Sequence, residues 1–216
     1  MSRAPAAPEP APAQEAAIDA RADTDTILVL DDGAHVAGYV CAGSITIAPG
    51  ARVYVDADVQ LVAARNIYLD GVLVVPDRTE RVGTADAPDI ELLAGNAIVG
   101  WGAIVGGRGL SFDPARDPGA AGGDGSAITL RAPKIWVMGS LRGGAGGHGG
   151  GGGAVLCIGG TPESGEFPAY GARAGSIVGG DGGPGGRGCA AFGAGGAGGA
   201  AGDAGFFADD AAARAR

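Results

Sequence analysis

Seven carboxylates in glycine- and proline-rich segments are the best candidates for acid–base chemistry in this sequence. They are Asp77, Glu80, Asp86, Asp113, Asp117, Glu163 and Glu166. Hydrolysis of a glycosidic bond needs two carboxyl groups several ångströms apart, one of them with a raised pKa. No spacing in the sequence fixes any two at that separation, and charged loop residues are mostly solvated. We therefore predict no catalytic residue.

The residues that ligate metals are scattered along the chain. They are His35, His148, Cys41, Cys157 and Cys189, and none has a partner at the close spacing of a zinc site. Cys157 stands in an apolar run, which predicts a small buried residue. The stretch Gly122-Gly123-Asp124-Gly125 does not keep the order of calcium-binding nonapeptides and does not recur. We predict no metal site and no bound cofactor.

Aromatic side chains offer a different chemistry, because their faces stack on sugar rings. The main ones are Tyr54, Tyr68, Trp101, Trp136 and Tyr170. The repeat described below places Tyr68 and Trp136 in one outward column. Two interpretations stay open: the column faces solvent and binds a glycan, or an insertion folds back and buries it.

Composition and charge narrow the possible partners. The 216 residues include 45 glycines and 13 prolines, aromatic residues make up 5%, and the formal net charge is −9. This charge repels a phosphate backbone, so nucleic acid is not expected as a partner. No stretch approaches the roughly 20 apolar residues that cross a bilayer, and no membrane insertion is expected. The N-terminus lacks a secretory signal pattern, so the expected extracellular, cell-surface or virion location needs another export route, and a cytoplasmic location stays open.

The elements that must position these residues come from an internal repeat. Shifting residues 58–73 by 31 positions aligns Leu61 with Leu92, Ile67 with Ile98 and Gly71 with Gly102, without a gap. A third copy runs from Ile128 to Leu141 with one deletion. A partial copy comes earlier, around residues 45–55. The repeated unit consists of short strands.

The repeat predicts an all-β fold. The strands expected within it are 27–30, 44–47, 52–55, 59–61, 66–69, 90–92, 128–130 and 135–137. They lie too close together for helical crossovers and mostly lack hairpin turns. We therefore predict a short parallel β-helix, with apolar side chains stacked in inward columns and a column of Gly71, Gly102 and Gly139 at a shared corner, where positive φ and close approach favour glycine. Insertions are expected at 75–88, at 106–125 and after Arg142.

Composition divides the chain into four parts. Residues 1–24 are rich in Ala and Pro and predict a disordered arm, and residues 25–142 form the β-helix. Residues 143–205 carry Gly-Gly-X tracts interleaved with strands at 155–158 and 176–178, and 206–216 form a tail whose Phe206-Phe207 pair caps the last coil. A Gly-Gly-X helix with three residues per turn has bare backbone on two of its faces, so neighbouring helices can approach closely. The tracts therefore predict a polyglycine II-like bundle. A flexible linker is the other interpretation.

These patterns resemble known families. The Ile-x-Leu-x-Ala and Ile-x-Leu-x-Gly-x-Leu alternations over residues 26–180 resemble glycine-rich parallel β-helix surface proteins of bacteria, of the filamentous haemagglutinin-like and pectin-lyase-like kind. The stretch 188–207 is similar to the repeat region of mycobacterial PE-PGRS proteins, without their N-terminal domain. The Gly-Gly-X runs look like those of phage polyglycine adhesins. The resemblance implies architecture more than activity.

Three functions follow as hypotheses. The first is a non-enzymatic structural or adhesive protein that acts by presentation and self-association, or by binding a surface glycan or receptor. The second is a carbohydrate-active enzyme, a polysaccharide hydrolase or lyase, on the same scaffold; a lyase needs a cationic base, and Lys134 lies inside a predicted strand. The third is an ice- or surface-binding protein, which the scarcity of Thr disfavours.

Overall fold

A computed structural model describes residues 25–76, 86–111, 122–147, 151–159, 173–181, 200–202 and 204–207. The described residues contain fourteen strands and no helix, and every strand pair in them is parallel. The all-β prediction is confirmed. The predicted arm, residues 1–24, lies outside the described residues.

The strands are short except for three. In chain order they are β1 (Ile27–Leu30), β2 (His35–Ala42), β3 (Ser44–Ile47), β4 (Arg52–Ala63), β5 (Asn66–Leu69), β6 (Val72–Val74), β7 (Ile90–Ala94), β8 (Ala97–Gly100), β9 (Ala103–Val105), β10 (Ile128–Ala132), β11 (Lys134–Arg142), β12 (Val155–Gly159), β13 (Arg173–Val178) and β14 (Ala204–Phe207).

The strands pair in three parallel ladders. One runs β1–β3–β5–β8–β11–β13, the second β2–β4–β7–β10–β12–β14 and the third β4–β6–β9–β11. Two long strands belong to two ladders each: β4 pairs with β6 through its first residues and with β7 through its last, and β11 does the same with β8 and β9. The strand order is an open path from β1 to β14, with β2 and β13 beside it.

The register matches the sequence repeat. Leu61 pairs with Leu92 and Leu92 with Leu130, and Ile67 pairs with Ile98. Successive side chains of a strand point to opposite faces, so this register stacks apolar residues on one side of each ladder. The columns are fully buried: Leu61, Leu92, Leu130 and Cys157 form one, Ile45, Ile67, Ile98 and Ile135 another, and Leu73, Ile104 and Leu141 a third. Burial of each large side chain contributes about 1.5–3 kcal/mol.

The predicted glycine column is present, for one of the two reasons expected. A Cβ on Gly102 would lie under 3.0 Å from the carbonyl oxygen of Gly71, and one on Gly139 equally close to that of Gly102. Close backbone approach therefore demands glycine at these positions. Positive φ is not the reason, because none of the three column glycines adopts it. Among the described residues the glycines with positive φ are Gly33, Gly38, Gly50 and Gly100.

Several boundaries differ from the predicted ones. Strand β2 was not predicted, because Gly38 interrupts the apolar alternation between Val36 and Val40. The predicted strands 52–55 and 59–61 are one continuous strand, β4. Phe206 and Phe207, assigned to the tail, pair with Cys157 and Ile158 as part of β14. The rest of the predicted tail, 208–216, lies outside the described residues.

The glycine-rich segments hydrogen-bond to one another through their backbones. The amide of Ser126 donates to the carbonyl of Gly107, that of Gly144 to Ser126, that of Gly153 to Gly144, that of Gly180 to Gly153 and that of Gly202 to Gly180, at 2.8–3.1 Å. The contacts thus join six positions spread over residues 107–202. The described parts of the tracts alternate with β12 and β13, as predicted.

Candidate functional site

An aromatic groove lies on the outer surface of the first ladder. Tyr68 pairs with Val99 and Val99 with Trp136, so β5, β8 and β11 place these three side chains in one column. The inward neighbours of the column, such as Ile98, fill the core, and alternation along each strand turns the column outward. Tyr68 is 39% exposed and Trp136 is 57% exposed.

Trp101 lies at one side of this column. Gly100, with φ of 153°, ends β8, and Trp101, the next residue, is 76% exposed. Its backbone N–H donates to Oδ1 of Asp70 at 3.3 Å. The groove has a volume of about 380 Å³ and is lined by Tyr68, Asp70, Val99, Gly100, Trp101, Trp136 and Met138.

Polar groups at the ring edges of the groove are already paired. Nδ2 of Asn66 donates to Oη of Tyr68 at 3.1 Å, and Nε1 of Trp136 donates to Sδ of Met138 at 2.8 Å. These bonds orient the rings before any ligand arrives, which lowers the entropy cost of binding. The groove can therefore offer ring faces for stacking and one carboxylate for hydrogen bonds.

The predicted outward column of Tyr68 and Trp136 is thus present. The other interpretation, burial of these side chains by an insertion, is wrong for both and for Trp101. Tyr54 lies elsewhere: it is half-buried, and its ring stacks on His35 with centroids 5.1 Å apart. Tyr170 lies outside the described residues.

A second groove, on the outer surface of β4 and β7, is acidic. Its lining includes Asp58, Gln60, Asp89 and Glu91. Glu91 accepts hydrogen bonds from Gln60 at 2.7 Å and from Arg131 at 3.1 Å. Asp58 accepts from the backbone N–H of Asp89 at 3.0 Å, and Asp89 from that of Ala127 at 2.7 Å. Asp58 and Asp89 thus hold the backbone just before β7 and β10, and Glu91 contacts side chains of the neighbouring strands.

Asp86 is the one candidate carboxylate from the sequence that lies within the described residues. It accepts from the backbone N–H of Asp124 at 2.8 Å, and Asp124 accepts in turn from Gly151 at 2.6 Å. The other six, Asp77, Glu80, Asp113, Asp117, Glu163 and Glu166, lie outside. The carboxylates of the acidic groove were missed, although the 31-residue step from Asp58 to Asp89 is the period of the repeat.

The described metal-ligating residues do not converge. Nδ1 of His35 contacts Asp56 at 2.9 Å on the surface. Cys157 is buried as predicted, and burial raises its pKa to about 12; Cys41 is half-buried. Within the described ranges no three His, Cys, Asp or Glu side chains form a group that could hold a metal ion. His148 and Cys189 lie outside these ranges.

No family model, no curated protein and no solved structure matches this chain. None of the described segments is a helix of the length and apolarity that a membrane span requires.

Asp89→Asn is expected to flatten the pH dependence of stability. Burial raises the pKa of Asp89, and the neighbouring carboxylates of Asp58, Asp86 and Asp124 raise it further against the opposing Ala127 N–H. The folded state therefore holds the proton more tightly than the unfolded chain. This stabilisation is complete below the ordinary pKa of 3.8 and is lost as the pH rises through the folded value.

The measurement is urea unfolding at pH 3 and at pH 7, which lie about one unit below and several units above the ordinary pKa of an Asp side chain. From the lower to the higher pH, the free energy of unfolding should fall more in the wild type than in Asp89→Asn. Asp89→Ala, which removes the acceptor for Ala127, should cost about 1 kcal/mol. Asp31→Asn, which removes an exposed carboxylate, is the control. Identical pH slopes for wild type and Asp89→Asn would contradict the assignment.

Proposed function

We propose that this chain is a non-enzymatic adhesive protein of a cell surface, an extracellular matrix or a virion, and that it binds glycans through the aromatic groove. The observation that carries the proposal is the exposure of Tyr68, Trp101 and Trp136 in one groove beside Asp70. Exposed aromatic rings beside a hydrogen-bonding carboxylate are suited to sugars, which combine apolar C–H faces with hydroxyl groups.

We propose further that the scaffold is a short parallel β-helix. The support is that β4 and β11 bend from one ladder into another, which joins the three ladders around shared buried columns. In the same architecture the glycine-rich segments form a polyglycine II-like bundle. Its support is the series of backbone hydrogen bonds from Gly107 to Gly202 and the lack of space for a Cβ along it.

Binding is favoured over hydrolysis by the way in which the acidic groove uses its carboxylates. Asp58 and Asp89 each accept a backbone N–H from the next strand, and Glu91 is held by Gln60 and Arg131. These contacts account for the carboxylates of the acidic groove as supports of the strand stack, without a catalytic role.

Trp136→Ala should weaken glycan binding about tenfold, since loss of a stacked aromatic costs about 1.5 kcal/mol together with its buried area. Trp101→Ala should have a similar effect. The measurement is retention of the protein on an array of immobilised polysaccharides. Tyr39→Ala removes an exposed aromatic residue of β2 outside this groove and is the matched control. Unchanged binding by both Trp variants would contradict the proposal, as would the absence of binding by the wild type.

A further inference from the structure

We infer that the aromatic groove takes an extended, uncharged polysaccharide that runs along the stacking direction of the strands, across β5, β8 and β11. This inference rests on the proposed function and narrows it to one class of glycan and one orientation. The arguments are the spacing of the rings and the charges around them.

The spacing of the rings favours a chain that crosses the strands. Tyr68 and Trp136 occupy paired positions with only Val99 between them. Adjacent strands lie about 4.8 Å apart, so the two rings are separated by roughly 9–10 Å along the stacking direction. This is close to the length of two hexose units in an extended chain. Successive rings can therefore stack on alternate sugars.

A chain lying along a strand would find a poorer surface. On the outer face of β11 the neighbours of Trp136 are Lys134 and Met138, and on that of β5 the neighbour of Tyr68 is Asn66. A glycan along either strand would thus meet one aromatic ring. The smaller Val99 leaves room between the two aromatic rings of the column, and Trp101 borders the column at the side.

The charges of the groove favour an uncharged ligand. Asp70 is the charged residue of the lining, to which the exposed Lys134 of β11 does not belong, and the chain as a whole has a net charge of −9. A uronate or a sulfated sugar would bring a like charge towards Asp70 in a partly desolvated groove, which is repulsive. Sugar hydroxyls instead donate to the carboxylate, which keeps acceptor capacity after Oδ1 has accepted the N–H of Trp101.

Calorimetric titration of the full chain with defined hexasaccharides tests the inference. The uncharged probes are cellohexaose, chitohexaose and mannohexaose, and the acidic probe is hexagalacturonate. At least one uncharged probe should bind at least tenfold more tightly than hexagalacturonate, and Asp70→Asn should narrow this difference. Stronger binding of hexagalacturonate, lost in Trp136→Ala, would overturn the inference and leave the proposed function standing. The absence of binding to any probe and to the array would overturn both.

The orientation of the glycan is tested with a separate set of variants. If the glycan crosses the strands, Tyr68→Ala and Trp136→Ala should each weaken binding of the hexasaccharide about tenfold, as expected for loss of a stacked ring. Tyr68→Phe keeps the ring, and should retain the affinity of the wild type. Sensitivity to Trp136→Ala without sensitivity to Tyr68→Ala would overturn the orientation, since a chain along β11 never reaches Tyr68. Thermal unfolding of each variant distinguishes loss of the ring from loss of the fold.

Discussion

Gly153→Ala is expected to destabilise the folded chain by about 3 kcal/mol or more, which is the upper part of the range for overpacking. A Cβ on Gly153 would lie under 3.0 Å from the backbone of Ser126. Backbone cannot move aside as a flexible side chain does. Gly153 also donates to Gly144 and accepts from Gly180, at 2.8 and 2.9 Å, so the segment is held on both sides.

Gly151→Ala is the matched control, two residues away in the same tract. The nearest atom to a Cβ there is Oδ1 of Asp124 at 3.4 Å, which is near ordinary contact distance. This substitution should be nearly neutral, or stabilise by a few tenths of a kcal/mol through the lower entropy of the unfolded chain. Urea unfolding of the two variants measures the difference. Equal stabilities would mean that the glycine-rich segments are not packed against one another.

Leu92→Ala should cost about 2–5 kcal/mol, the range for truncation of a fully buried leucine. Leu92 is inaccessible to solvent and lies between Leu61 and Leu130 in one buried column. Both neighbours are fixed by the hydrogen bonds of β4 and β10, so the column has little freedom to close the cavity. The loss therefore combines the transfer free energy of the side chain with the energy of an unfilled space.

Leu93→Ala is the control for this prediction, because it truncates the same residue type in the same strand. Leu93 points to the outer face of β7 and is half-buried, between Val62 and Arg131. It should cost about 1 kcal/mol, as expected for partial burial. The urea midpoint measures both variants, with the m-value as a check that the unfolding transition is the same. A larger effect for Leu93→Ala would show that the column is not the core.

The strand register was predictable because it follows from the sequence repeat. Leu61, Leu92 and Leu130 hold the same position in successive copies of the repeat, 31 and 38 residues apart, and the structure pairs them. Irregular backbone was not predictable. Between the pairs Val36–Val55 and Gly38–Val59 the chain of β4 has two more residues than that of β2, and no period can reveal a shift that occurs once.

The candidate site, too, was predictable only in part. The repeat placed Tyr68 and Trp136 in one column, but the composition did not decide whether they face solvent. That depends on where the insertions fold. The structural role of Asp58 and Asp89 was missed, because a carboxylate that accepts a backbone N–H from the next strand looks in the sequence like any solvated charge.

By itself the sequence determined that the described chain is all-β, which of its apolar residues stack and which glycines stack beside them, since these follow from a local period and from side-chain alternation. Only the tertiary structure decided that Trp101 stands beside the column of Tyr68 and Trp136, and that Gly153 hydrogen-bonds to Gly144 and Gly180. The physical reason is that no period of the sequence relates the residues that make these contacts. The free energy that selects such contacts comes from packing of the whole molecule.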